Sequence, residues 1–122
     1  METPMQDRLL RLLGLGVRGR GAVVGVDRVR EAALKGTLVL AVVAPDASPH
    51  SQEKVRPLLR ARGIPVVEGP GAMELGHAVG REATAVVGVT DPNLARGIQR
   101  MLGPSLQGDG ADGAPRGARS GG

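Results

Sequence analysis

LLGLGVRGRGAVVGVDRVREAALKGTLVLAVVAPDASP, running from Leu12 to Pro49, changes its hydrophobic period three times. It opens within a segment in which Met5, Leu9, Leu12 and Leu13 recur at helical spacing, with Asp7, Arg8 and Arg11 between them. That pattern predicts a first helix over Pro4 to Leu15. Gly14, Gly16, Gly19 and Gly21 are expected to end it, and Ala22-Val23-Val24 reads as a short strand. Beyond the breaker Gly25, the residues Val26, Val29, Ala33 and Leu34 return to helical spacing up to Gly36, a residue suited to the position just past a helix end. Leu38 to Ala44 is then a nearly unbroken apolar run, short and rich in Val, as expected of a strand buried on both faces.

Outward from this stretch the alternation continues. Ser48-Pro49 combines an N-cap with proline at the first helical position, which predicts a helix to Arg62, stopped by Gly63 and kinked or shortened by Pro57. Ile64 to Val67 reads as a strand, Ala72 to Val79 as a short helix, and Ala85 to Thr90 as another apolar strand. Asp91-Pro92 repeats the cap-and-proline device ahead of a last helix carrying Leu94, Ile98, Met101 and Leu102. Strands alternating with helices define an α/β layered domain over residues 1–102. Residues 103–122 are rich in Gly and poor in apolar side chains, the composition of a disordered tail.

With 122 residues, one core is affordable without disulfides or metal, and it must be aliphatic, because Phe, Tyr and Trp are absent. Their absence also removes base stacking on aromatic rings as a means of holding nucleic acid. The lack of cysteine excludes disulfides, thiolate nucleophiles and zinc-finger sites. No run approaches the roughly 18 apolar residues of a membrane span, and Arg8 and Arg11 interrupt any leader-like segment; a cytoplasmic protein is expected. The net charge of +4 resides in residues 1–102, since Asp109, Asp112, Arg116 and Arg119 cancel in the tail. Arg18, Arg20, Arg28, Arg30 and Lys35 outweigh Asp27 and Glu31, a local excess that suits a polyanion or, equally, a solvated face.

Gly14-Leu-Gly16-Val-Arg-Gly19 spells G-x-G-x-x-G, but a dinucleotide fingerprint needs a strand before it and a helix opening at it, the reverse of the order here. His50 and His77 have no third metal ligand at a recognisable spacing. Ser48, Ser51 and Thr90 lie outside any nucleophile elbow, and Glu74, Glu82 and Asp91 are scattered. No enzyme activity and no cofactor are therefore expected. The junction Gly25-Val26-Asp27-Arg28-Val29-Arg30 remains. A glycine allows close approach, the free N–H groups of a helix start face outward, and two arginines can fork onto phosphate or guanine. The alternative is that Asp27 merely caps the helix and the arginines are solvated.

Together with Gly63-Ile64-Pro65-Val66, Glu74-Leu75-Gly76-x-Ala78-x-Gly80 and Ala85-Val86-Val87-Gly88-Val89-Thr90-Asp91-Pro92, the stretch from Leu12 to Pro49 resembles the ribosomal kink-turn-binding family typified by L7Ae and L30e, and most of all its bacterial YlxQ-like branch. The resemblance covers about residues 9 to 102. It implies a three-layer α-β-α sandwich around a four-stranded mixed sheet, with neither cofactor nor reaction. It also implies structured RNA as the partner, the ribosome as a further one, no membrane, and a monomer. In the family a Gly-x-Asn-Glu-x-x-Lys motif at the start of the second helix meets the RNA. It falls here on Gly25, with Asp27, Arg28 and Glu31 at the Asn, Glu and Lys positions. A second family loop, which covers a flipped-out base, falls on Arg81, Glu82, Ala83 and Thr84; Arg30 is expected to contact RNA together with Gly25, Asp27 and Arg28, and Arg18 and Arg20 to add phosphate contacts. The rival expectation is a protein-interaction module on the same fold with little or no RNA binding.

Overall fold

The computed structural model describes residues 4–103. The tail from residue 104 onward lies outside the described residues. Nine elements follow in order: α1 (Pro4–Arg18), β1 (Ala22–Val24), α2 (Val26–Lys35), β2 (Leu40–Val43), α3 (Pro49–Ala61), β3 (Val66–Glu68), α4 (Ala72–Ala78), β4 (Val86–Val89) and α5 (Pro92–Leu102). The strands form one sheet in the order β1-β4-β2-β3. β4 runs antiparallel to both β1 and β2, with Ala22 opposite Val89 and Val43 opposite Val86, while β2 and β3 are parallel. The sheet is mixed, as the resemblance implied.

Two aliphatic cores cover its faces. On one side Leu9 and Leu13 of α1, Leu75 of α4 and Ile98 of α5 pack on Leu40, Val42, Val87 and Val89. On the other, Val29 and Ala33 of α2 and Val55 and Leu59 of α3 pack on Ala41, Val43 and Val86. The result is the expected three-layer sandwich. Every residue of β2 and β4 is buried, which is why these strands read as continuous apolar runs rather than as alternations. Each fully buried Leu, Ile or Val contributes about 1.5–3 kcal/mol, so the core is sufficient without rings.

Local signals behave as their chemistry requires. Ser48 Oγ accepts the Ser51 N–H at 3.1 Å and Asp91 Oδ1 accepts the Asn93 N–H at 2.9 Å, each cap followed by proline in the first turn. Gly36 closes α2 in the left-handed region at φ +80°. α3 continues through Pro57 to Ala61, without the shortening that this proline predicts.

Several boundaries differ from the sequence reading: β2 and β4 are shorter at both ends, β3 spans Val66–Glu68 rather than Ile64 to Val67, and the end of α1 moves furthest. α1 does not stop at Leu15 but runs through Gly14 and Gly16 to Arg18. A Cβ on Gly14 would lie 2.6 Å from the Ala78 carbonyl oxygen, and one on Gly16 would lie 2.4 Å from Leu94 Cδ2. These glycines let α4 and α5 approach α1 closely, so they are packing residues rather than helix breakers.

Candidate nucleic-acid interface

β1, β2 and β3 all run toward one end of the sheet, called here the upper end, and β4 starts there. The β1–α2 junction, the loop after β2, the β3–α4 junction and the loop preceding β4 therefore meet at the upper end. Backbone hydrogen bonds fasten them together. The Gly25 N–H donates to the Val86 carbonyl at 3.0 Å, the Ala44 N–H to the Ala85 carbonyl at 2.8 Å, and the Thr84 N–H to the Ala72 carbonyl at 3.0 Å.

Gly25 has φ +97° and ψ +161°, a combination open essentially to glycine alone, and this turn swings the chain from β1 directly into α2. Among the described residues no side chain caps the helix start, so Asp27 does not spend its carboxylate there. The first N–H groups of α2, which have no intrahelical partner, stay available at an end that carries positive dipole charge. Asp27 and Arg28 are exposed beside them. This is an anion-accepting helix start with a guanidinium and a carboxylate at its rim.

The second loop is held close to this helix start. Gly76 sits directly under it: a Cβ there would fall 2.4 Å from Ala83 Cα. The Arg81 N–H donates to the Gly76 carbonyl at 2.8 Å, leaving Arg81, Glu82 and Ala83 exposed. Thr84 is different. It is 9% exposed, and its hydroxyl donates to the Val86 carbonyl at 3.2 Å, the same oxygen that Gly25 uses. Its side chain faces inward and pins the loop, away from any ligand.

Other sequence-predicted residues go elsewhere. Arg30 reaches across to α3 and donates from Nη1 to the Lys54 carbonyl at 2.5 Å. Glu31 pairs with Lys35 one turn on at 3.2 Å, so its charge is matched within α2. Arg18 lines a groove between α1 and α4 together with Arg11, Glu74 and His77. Arg20 lies in the α1–β1 turn, at the opposite end of the sheet from Gly25, because β1 separates the two. The stretch from Arg18 to Arg30, continuous in sequence, is thus not one surface.

Sequence reasoning missed Asp46 and set Glu74 aside as a scattered carboxylate. Asp46 Oδ1 accepts the Ala72 N–H at 2.8 Å, tying the loop after β2 to the start of α4. Both carboxylates come within 3.0 Å of a Cβ position on Gly71, so they crowd the same corner. The available signal was an aspartate just after a buried strand, in Ala44-Pro45-Asp46. Nearby, Arg56 grips Glu68 with two bonds, Nη1 to Oε2 at 2.7 Å and Nη2 to Oε1 at 2.9 Å. That hydrogen bonding holds the Glu68 carboxyl below its ordinary range against a smaller opposing effect of burial. The upper end thus presents Arg28 and Arg81 among Asp27, Asp46, Glu74 and Glu82.

The family model described as the ribosomal protein L7Ae/L30e/S12e/Gadd45 family matches residues 7–97. The chain is 32% identical over 91 residues to the RNA-binding protein YlxQ of Bacillus subtilis (strain 168), a match that covers 75% of this chain and 91% of that protein. Among solved structures it is similar to a protein of unknown function from Bacillus halodurans C, with TM-score 0.71, 29% identity, and coverage of 83% of this chain and 98% of that one. It is also similar to the 15.5kD RNA binding protein of Giardia lamblia, with TM-score 0.70, 21% identity, and coverage of 87% and 92%. The last likeness bears on the fold alone.

Proposed function

The chain belongs to the ribosomal protein L7Ae/L30e/S12e/Gadd45 family, and from that premise we propose that it binds structured RNA at the upper end of its sheet and carries out no reaction. The observation that carries this reading is the juxtaposition of an uncapped helix start with a second loop, locked by the bond from the Gly25 N–H to the Val86 carbonyl. The N–H groups of α2 and the Arg28 guanidinium take phosphate or a guanine edge. Arg81, Glu82 and Ala83 lie against the unpaired base beside it. Kink-turn RNA is the preferred target, on the ribosome and in the cytoplasm. The similarity to YlxQ, named as an RNA-binding protein, supports the choice of RNA as partner.

Recognition here differs in polarity from the motif it resembles. Asp27 accepts hydrogen bonds and donates none, so it favours an amino group such as cytosine N4 and opposes guanine O6. Arg28 supplies the donors that Asp27 lacks. Mobility shift on a kink-turn RNA and on an unkinked duplex, at two salt concentrations, tests the reading. Tighter binding to the kinked RNA is the expected outcome, and equal weak binding to both would sink kink-turn recognition.

The carboxylates of Asp27, Asp46, Glu74 and Glu82 at this end favour a second reading, a module that docks a basic protein partner. Copurification with and without ribonuclease separates the two, because a protein complex survives digestion.

A further inference from the structure

The opposite, lower end of the sheet gathers an excess of positive charge. β1, β2 and β3 start there and β4 finishes there, so four turns meet: α1–β1, α2–β2, α3–β3 and β4–α5. They bring exposed Arg20, Lys35, Arg60, Arg62 and Arg96 to one end of the molecule. Among the described residues the carboxylates there are Asp91, which accepts the Asn93 N–H, and Glu31, which is paired with Lys35. These cations are remote in sequence, and only the strand directions bring them together.

We propose that the lower end is a second RNA-binding surface, which holds the phosphate backbone of a duplex segment while the upper end engages the structured element. The proposal rests on the RNA-binding reading above.

Internal bonding leaves three of these cations free for such a role and ties up Lys35 in its pair with Glu31. Among the described residues, no side-chain hydrogen bond or ion pair holds Arg20, Arg60 or Arg62, and Arg96 bonds the neutral side chain of Asn93. Helix dipoles favour Lys35, Arg60 and Arg62 at helix C-termini, but the same effect disfavours Arg96 near the start of α5. Arg20 is the most telling. It is the one described residue other than glycine with positive φ, +64°, a conformation that strains an L side chain and suits glycine. Glycines flank it on both sides, at positions 19 and 21. A glycine at 20 would relieve the strain, so the arginine is set there against local backbone preference.

The shape also fits a duplex. Gly36 and Gly63 stand in two of the turns, and a Cβ on either would meet nothing within 4 Å. Arg20 precedes β1 at one edge of the sheet and Arg62 precedes β3 at the other, edges that lie about 14 Å apart across three strand spacings. Duplex RNA is held through phosphates and 2′-hydroxyls on this scale, with no need for the aromatic stacking that this chain lacks.

The test is fluorescence anisotropy with the full chain on a kink-turn RNA and on a plain RNA duplex of about 16 base pairs, across a salt series. Arg20→Gln/Arg60→Gln/Arg62→Gln is expected to weaken both RNAs by about tenfold or more and to flatten the salt slope by about 2 to 3, while the preference for the kinked RNA persists. Arg28→Gln/Arg81→Gln is expected to reduce that preference. Arg20→Gly separates charge from folding: its melting temperature should hold or rise while duplex affinity falls. Wild-type affinity and slope in the triple variant would overturn the second surface and leave the first standing. So would competition by polyglutamate as strong as by duplex RNA, which would assign this end to an acidic protein. A wild-type chain that binds neither RNA would remove the RNA-binding reading itself.

Discussion

The Gly25 N–H and the Thr84 hydroxyl converge on one acceptor, the Val86 carbonyl, at 3.0 and 3.2 Å. Through that oxygen the start of α2 and the loop before β4 are fixed to each other, although nearly half the chain separates them in sequence. Gly25 does this in a backbone conformation that other residues avoid, with open space where a Cβ would sit. Gly25→Ala should therefore cost about 1–3 kcal/mol of stability from backbone strain alone, and it should also weaken RNA binding by shifting the helix start. Chemical denaturation with an unchanged midpoint would contradict the account.

Arg28 and Arg30 are two residues apart, yet the structure gives them opposite fates. Arg28→Ala should cost about 1–3 kcal/mol of RNA affinity if it forks onto a guanine, with little effect on folding. Arg30→Ala should lose its bond to the Lys54 carbonyl and about 0.5–1.5 kcal/mol of stability, with RNA affinity nearly intact. Binding and melting measured on both variants would expose any exchange of these roles.

Helical glycines should divide according to what surrounds them. Gly97 in α5 has nothing within 4 Å of its Cβ position, so Gly97→Ala should stabilise by up to about 1 kcal/mol through helix propensity. Gly14→Ala has the same propensity advantage but meets a backbone oxygen at 2.6 Å, and should destabilise by about 1–3 kcal/mol as α4 is pushed from α1. Thermal melts of the two variants should move in opposite directions.

The Arg56–Glu68 pair should add a small pH dependence. Because the folded-state pKa of Glu68 lies below its ordinary value, the pair stabilises above about pH 4.3 and fades as pH falls through the lower, folded value. The Glu68 side chain is 59% exposed, so screening keeps the contribution under about 1 kcal/mol. Glu68→Gln should lose that increment at neutral pH and match the wild type in acid, as denaturation at pH 7 and pH 3 would show.

Much of the fold was legible because its signals are local. Caps at Ser48 and Asp91, the left-handed Gly36 and the apolar runs of β2 and β4 each act within a few residues, and each stands where the sequence placed it. The end of α1 was not legible, since Gly14 and Gly16 look like breakers until α4 and α5 are packed against them. Within the candidate site, the glycine turn and the exposure of Arg28 followed from sequence. The diversion of Arg30 to Lys54, the inward turn of Thr84 and the arrival of Asp46 did not.

By itself, then, the sequence determined the aliphatic core, the alternation of strands and helices and the helix caps, all of which rest on periodicity and short-range chemistry, while its motifs carried the resemblance to the family. Tertiary structure decided which charges share a surface. Strand direction sends Gly25 and Arg28 to one end of the sheet and Arg20 to the other, and it gathers Arg20 with Arg60 and Arg62 from across the chain. Coulomb interactions act through space, while the sequence orders residues only along the chain, so a basic stretch such as residues 18–30 becomes two surfaces once β1 runs between its halves.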